Sequence, residues 1–218
     1  MFKGAATPGN NGIGTFSSTG AFDVNGNVMS LLYGDDFASE TDLTGKPKAF
    51  ASLFEETEVV DAHNLRLAAT TLSANCYYSM FYGCTSLVNG PVIAATTLAD
   101  SCCFFMFYGC TSLVDAPELP ATTLASACYA YMFAGCTALT TAPTLPASVL
   151  ASTCYGTMFS GCSNLSYVKC TATDISASMC TASWLDQVSP TGTFVKASGV
   201  SWSRGVGGIP SGWTVVDE

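Results

Sequence analysis

The chain has 218 residues, 49% of them hydrophobic and only 11% charged, with a formal net charge of −9, eleven cysteines and one histidine. Seven Lys and Arg in all argue against a nucleic-acid backbone or an anionic membrane surface as partner, since both need clustered bases. No run of about 18 apolar residues predicts a membrane-spanning helix.

Residues 1 to about 20 are rich in Gly, Ser, Thr and Asn and read as irregular. Met1-Phe-Lys-Gly, followed by Pro8 and Gly9-Asn-Asn-Gly12, lacks the apolar core of a secretory signal. Export by another route, a mature form or a piece of a longer protein all fit that start. Next comes Ala21-Phe-Asp-Val-Asn25-Gly26-Asn-Val-Met-Ser-Leu-Leu-Tyr33. Asn-Gly between β-prone runs predicts a hairpin, placed here as the cap of a repeat array. Residues 1–45 are therefore expected to form an N-terminal segment with a capping β-hairpin.

Lys46 to Leu72 reads as a degraded first repeat, with Phe50-Ala-Ser-Leu-Phe54 standing where Tyr77-Tyr-Ser-Met-Phe81 stands in the next. Four close copies follow, at Cys76–Cys84, Cys102–Cys110, Cys128–Cys136 and Cys154–Cys162. Phe81, Phe107, Phe133 and Phe159 are each 26 residues apart, as are Leu72, Leu98, Leu124 and Leu150. A fixed period of this size is the signature of a solenoid whose repeats bury their apolar faces against one another. Within one repeat, Leu98, Cys102, Met106 and Cys110 lie four apart and predict a short helix. Asp100-Ser101 suits its N-terminus, and Gly109 suits its end at positive φ. Leu113-Val-Asp-Ala-Pro-Glu-Leu-Pro120 predicts a short extended segment interrupted by prolines.

A diverging last copy occupies residues 163–185, and residues 186–218 carry two β-like runs split by Gly205-Val-Gly-Gly208. The expected fold is an α/β solenoid over residues 46–185, about 26 residues per coil. Short parallel strands line one side and short helices the other, with β-rich caps at both ends, the second being residues 186–218.

Met106-Phe107-Tyr-Gly-Cys110-Thr-Ser-Leu113 through Leu119-Pro120 resembles the BspA-like leucine-rich repeat family of the gut Bacteroides type, with its Ala-Phe-x-x-Cys-x-x-Leu core and extended segment ending in Ile-Pro. The match spans about Lys46 to Leu185, and Asn27–Phe37 and Gly208–Val215 look like flanks of such proteins. The chain departs from the short family repeat in its longer period and in Met before the Phe. The resemblance implies a cell-surface or secreted protein, in some cases an adhesin, and in some cases one carried by prophage.

The cysteines form two ladders, Cys76, Cys102, Cys128, Cys154, Cys180 and Cys84, Cys110, Cys136, Cys162, with Cys103 and Cys170 outside them. Small buried packing residues are the leading reading. Disulfides between stacked positions are sterically allowed, but an odd total fits them poorly. A metal site lacks Cys-x-x-Cys clustering, and His63 lies outside the ladders. No histidine falls within the four close copies to activate a Ser or Cys nucleophile, and Gly205–Gly208 lacks the ending of a phosphate loop.

Eight acids fall between Asp35 and Asp61, namely Asp35, Asp36, Glu40, Asp42, Glu55, Glu56, Glu58 and Asp61. They read as a solvated end rather than a calcium loop or a glycosidase pair. Between Leu67 and Ser166 the only charged residues are Asp100, Asp115 and Glu118, which predicts a neutral, hydroxyl-rich coat. Tyr77, Tyr78, Tyr82, Tyr108, Tyr129, Tyr131 and Tyr155 are expected either in the packing or on the outer helix face, where Tyr with Ser and Asn suits adhesion.

The expected function is a non-catalytic, secreted or cell-surface leucine-rich-repeat protein that binds a host protein or glycan. No catalytic, metal or cofactor residues, no nucleic-acid partner and no membrane insertion are expected. A phage or prophage fibre or decoration domain is the alternative, and a hydrolase using the N-terminal carboxylates a distant third.

Overall fold

The computed structural model describes residues 13–218, so the first twelve residues of the irregular N-terminal segment lie outside the described residues. Its regular elements are strands β1 (Phe22–Asn27), β2 (Val59–Leu67), β3 (Val92–Ile93), β4 (Tyr167–Cys170), β5 (Gly192–Lys196) and β6 (Trp213–Asp217), with one short helix, α1 (Ser30–Tyr33), and a 3-10 turn over Gly34–Ser39. All strand pairing is parallel, in two three-stranded sheets ordered β1-β2-β3 and β4-β5-β6. Between the sheets the chain makes isolated parallel bridges, including Thr71↔Thr97, Thr97↔Thr123, Thr123↔Val149 and Asn89↔Asp115. Each of these four steps is 26 residues, the sequence period. Proline explains why the middle copies have bridges instead of strands. Pro117, Pro120, Pro143 and Pro146 each remove a backbone donor from the ladder.

The expected helix is absent from every copy. In its place runs a ribbon of overlapping turns. The amides of Cys76, Tyr78, Met80, Tyr82 and Cys84 donate three residues back, to Ser73, Asn75, Tyr77, Ser79 and Phe81, at 3.1–3.2 Å. The alternate amides donate outward to the next copy: Tyr77 to the Cys102 carbonyl (2.8 Å), Ser79 to Phe104 (2.9 Å), Phe81 to Met106 (2.8 Å) and Gly83 to Tyr108 (2.8 Å). A turn with positive φ at its third residue closes this way, and Asn75, Ser79 and Gly83 hold φ of 57°, 51° and 68°. Gly109 does have positive φ, at 71°, but as the last corner of a ribbon rather than a helix stop. Asp100-Ser101 likewise begins no helix. Ser101 is a left-handed corner with φ 53°, and the Asp100 carboxylate accepts the amide of Ser126 in the next copy at 3.1 Å.

The core follows from this register. Phe54, Phe81, Phe107, Phe133 and Phe159 stack in one buried column, with centroids 5.2–5.6 Å apart, and Phe16 closes its N-terminal end at 5.4 Å from Phe54. Offset stacking at this spacing adds to the burial itself. A second column runs Phe50, Tyr77, Cys103, Tyr129, Tyr155, Trp184, with Cys103 interrupting the rings.

The predicted N-terminal hairpin is also replaced. Phe22–Asn27 is a single bulged strand parallel to β2, with Asn25-Gly26 inside it and Gly26 at φ 99°. Turning back at Asn-Gly would leave the sheet edge open. Continuing straight pairs that edge and buries Val24, Val28 and Met29. At the other end the two predicted β-runs are β5 and β6, and Trp202 and Phe194 pack on Trp184.

Candidate binding surface

The tyrosines divide by their place in the four-residue turn register. Tyr77, Tyr129 and Tyr155 point inward and are fully buried, which for these three is the packing alternative and not the outer face. Tyr78, Tyr82, Tyr108 and Tyr131 are partly exposed. Two residues not singled out from the sequence join them, Phe104 and Phe105. Tyr78 stacks on Phe104 at 5.7 Å, and Tyr82 on Tyr108 at 5.1 Å. Phe105 stands edge-on between these pairs, 4.4–6.2 Å from all four rings, and 4.8 Å from Tyr131. Alignment of the copies contained the clue. Phe104 and Phe105 replace small residues, Ala130 and Gly156 in one register and Ser79 and Thr157 in the other.

Phe105 and Tyr131 are left-handed corners, both at φ 58°. Bulky side chains rarely adopt that conformation, which costs roughly 1–2 kcal/mol per residue. Inter-copy bonds hold them there: Phe105 donates to the Ala130 carbonyl (3.2 Å) and Tyr131 to Gly156 (2.9 Å). The corner directs each side chain away from the core, so the rings sit on the surface of the ribbon.

Beside this patch, at the N-terminal end of the ribbon, lies an open cavity of about 560 Å³ lined by Lys48, Ala51, Ser52, Asn75 and Tyr78. Lys48, Ser52 and Asn75 are again left-handed corners, at φ 56°, 55° and 57°.

All eleven cysteines are buried free thiols. Four of them form a regular set of bonds. The thiols of Cys84, Cys110, Cys136 and Cys162 donate to the carbonyls of Phe54, Phe81, Phe107 and Phe133 in the preceding copy, at 2.9–3.1 Å. Burial pushes the thiols up, Cys84 to about 11 and Cys154, Cys162 and Cys170 to about 12. Cys102 is the exception. The Cys103 thiol donates to it and lowers it, but it too is fully buried.

His63 is exposed, and its Nδ1 pairs with the Asp61 carboxylate at 2.7 Å. The backbone amide of His63 is the main reason that Asp61 titrates below the usual carboxylate range. The other acids of the N-terminal group are spread along the chain. Asp42 caps the Thr44 amide (2.7 Å), and Glu58 accepts the Ser86 hydroxyl (3.1 Å). Among the described residues no cluster of three or more His, Cys, Asp or Glu side chains is placed to hold a metal ion. No helix among them is long and apolar enough to cross a membrane.

Compared with protein families, with curated proteins and with solved structures, the chain matches none.

Proposed function

We propose that this chain is a non-catalytic solenoid of the leucine-rich-repeat kind, secreted or displayed at a cell surface, that binds a host protein or glycan through its turn-ribbon face. The observation that carries the reading is the aromatic patch. The repeats are otherwise coated with Thr, Ser and Ala, and structure alone does not require rings at Phe105 and Tyr131, where neighbouring copies use Ser79 and Thr157. Strained, half-exposed aromatics that bring no core packing are costs that a binding surface explains. Aromatic rings beside Ser, Thr and Asn give large contact area with little rotamer entropy, which suits adhesion. The test is a combined glycan and protein array probed with the intact chain and with Phe105→Ser. Ser is the residue of the preceding copy at this corner, so the backbone should be retained. Binding that disappears in the variant supports the reading. Equal binding by both, or no binding by either, contradicts it.

A further inference from the structure

We infer that the cavity beside Tyr78 is a saccharide subsite that takes a pyranose carrying a carboxylate, with the sugar stacked on the Tyr78 ring and its carboxylate on the Lys48 ammonium. The inference rests on the binding reading above and narrows it to one ligand class and one place.

Four observations carry it. First, among the described residues only one face of the Tyr78 ring carries a stacked ring. Phe104 covers that face at 5.7 Å and 4°, but the preceding copy presents only Ala51 at this register. Tyr78 and Ala51 accordingly line the same cavity. A bare phenol face with negative quadrupole is the surface that a sugar's C–H face stacks upon. Second, the three remaining lining side chains are polar. The Lys48 ammonium, the Ser52 hydroxyl and the Asn75 amide make no hydrogen bond or ion pair among the described residues. Third, the backbone around the cavity is already committed. The amides of Lys48, Ser52 and Asn75 donate to Ala74, Tyr78 and Asp100 at 2.8–3.2 Å. Recognition there is left to those side chains, which offer donors and acceptors spaced around one ring. Fourth, the lining contains a cation and no carboxylate, in a chain of net charge −9. Lys46 differs, lying over the Tyr33 ring at 5.3 Å. An ammonium with no protein partner favours an anionic group on the ligand, since charge-assisted bonds are the strong ones.

The volume also fits. About 560 Å³ falls within the range of small-ligand sites and is room for a sugar.

The experiment is calorimetric titration of the intact chain with tetragalacturonate and with sialyllactose, beside lactose as the neutral control. Two carboxylated probes separate a uronic acid from a sialic acid. At least one should bind tighter than lactose by about fivefold or more, and the gap should narrow in high salt. Lys48→Gln should abolish that preference, so that the carboxylated probe binds no tighter than lactose. Tyr78→Leu keeps an apolar side chain against Phe104, and should weaken the carboxylated probe about tenfold, with an unchanged circular dichroism spectrum. Carboxylated probes that bind no better than lactose, or Lys48→Gln equal to the parent, would overturn the subsite. If the array shows a ligand lost in Phe105→Ser but kept in Lys48→Gln, the binding reading stands and this subsite falls.

Discussion

The two sides of each copy are held in different ways. On the ribbon side, alternate amides cross to the next copy throughout the repeats: Phe81 to Met106, Phe107 to Met132 and Phe133 to Met158, all at 2.8–2.9 Å. On the strand side, three-stranded sheets form only at the two ends, and the middle copies make single bridges. The sheets therefore close the ends, while the turns and the aromatic column hold the middle. Damage to the column or the ribbon should be felt across the molecule. Damage to the proline-broken strand side of a middle copy should stay local.

The largest effect is expected in the column. Phe133 stacks between Phe107 and Phe159 and is fully buried. Phe133→Ala should cost about 3–5 kcal/mol in chemical denaturation, because copies tied by backbone bonds on both sides cannot close into the gap. On the strand side, Thr122 is exposed and lies next to a single bridge. Thr122→Ala should stay within about 0.5 kcal/mol. Equal effects from the two changes would erase the distinction between the sides.

Alkaline pH should produce the next largest effect. Folded Cys84 titrates at about 11, and Cys154, Cys162 and Cys170 at about 12, whereas unfolded thiols titrate near 8.5. A folded pKa raised above the unfolded one gives stability that is complete below about pH 8.5. It is lost as pH rises towards the folded values. Stability measured in urea should be flat from neutrality to about pH 8.5 and then fall steeply. A chain equally stable at about pH 7 and 10.5 would mean that these thiols are not buried as described. Reductant at neutral pH should leave the melting temperature unchanged, since every cysteine is a free thiol; a marked drop would expose a disulfide.

A smaller effect separates hydrogen bonding from packing. The Cys136 thiol donates to the Phe107 carbonyl (3.1 Å), which also accepts the Cys110 amide (3.1 Å). Cys136→Ala should cost about 1–2 kcal/mol, from a lost bond and a small cavity. Cys136→Ser, which keeps a donor, should cost less. The reverse order in thermal melts would show that size alone matters there. Smallest is a change of opposite sign. Thr157 is β-branched at φ 55°, and Thr157→Asn should stabilise by about 0.5 kcal/mol, since Asn tolerates this conformation. A loss of stability would show that Thr157 is not strained.

Sequence reading reached the repeat register, the Phe column, the buried cysteines and the parallel pairing, because each depends on which residues recur and not on local backbone. It missed the ribbon. Leu72, Cys76, Met80 and Cys84 recur every four residues, close enough to helical spacing to be taken for it. In a helix, however, a strict four-residue step drifts by about 40° each time, and three such steps would carry Cys84 off the face of Leu72. That strictness was the available signal of a turn repeat. At the N-terminal end Asn25-Gly26 fits a turn locally, while an open strand edge of β2, visible only in the assembled fold, decides the outcome. The surface patch was half legible. Tyr78, Tyr82, Tyr108 and Tyr131 were candidates, but their separation from buried Tyr77, Tyr129 and Tyr155 depends on the left-handed corners. Phe104 and Phe105 carry no such mark, because composition alone does not separate an exposed ring from a buried one.

The central claim is that alternate amides of the ribbon bond to the next copy. It can be tested by measuring scalar couplings across hydrogen bonds in the isotope-labelled chain by NMR. The account predicts couplings from the amide nitrogens of Phe81, Phe107 and Phe133 to the carbonyl carbons of Met106, Met132 and Met158. Couplings from Phe107 back to Cys103, the four-residue step of an α-helix, would contradict it.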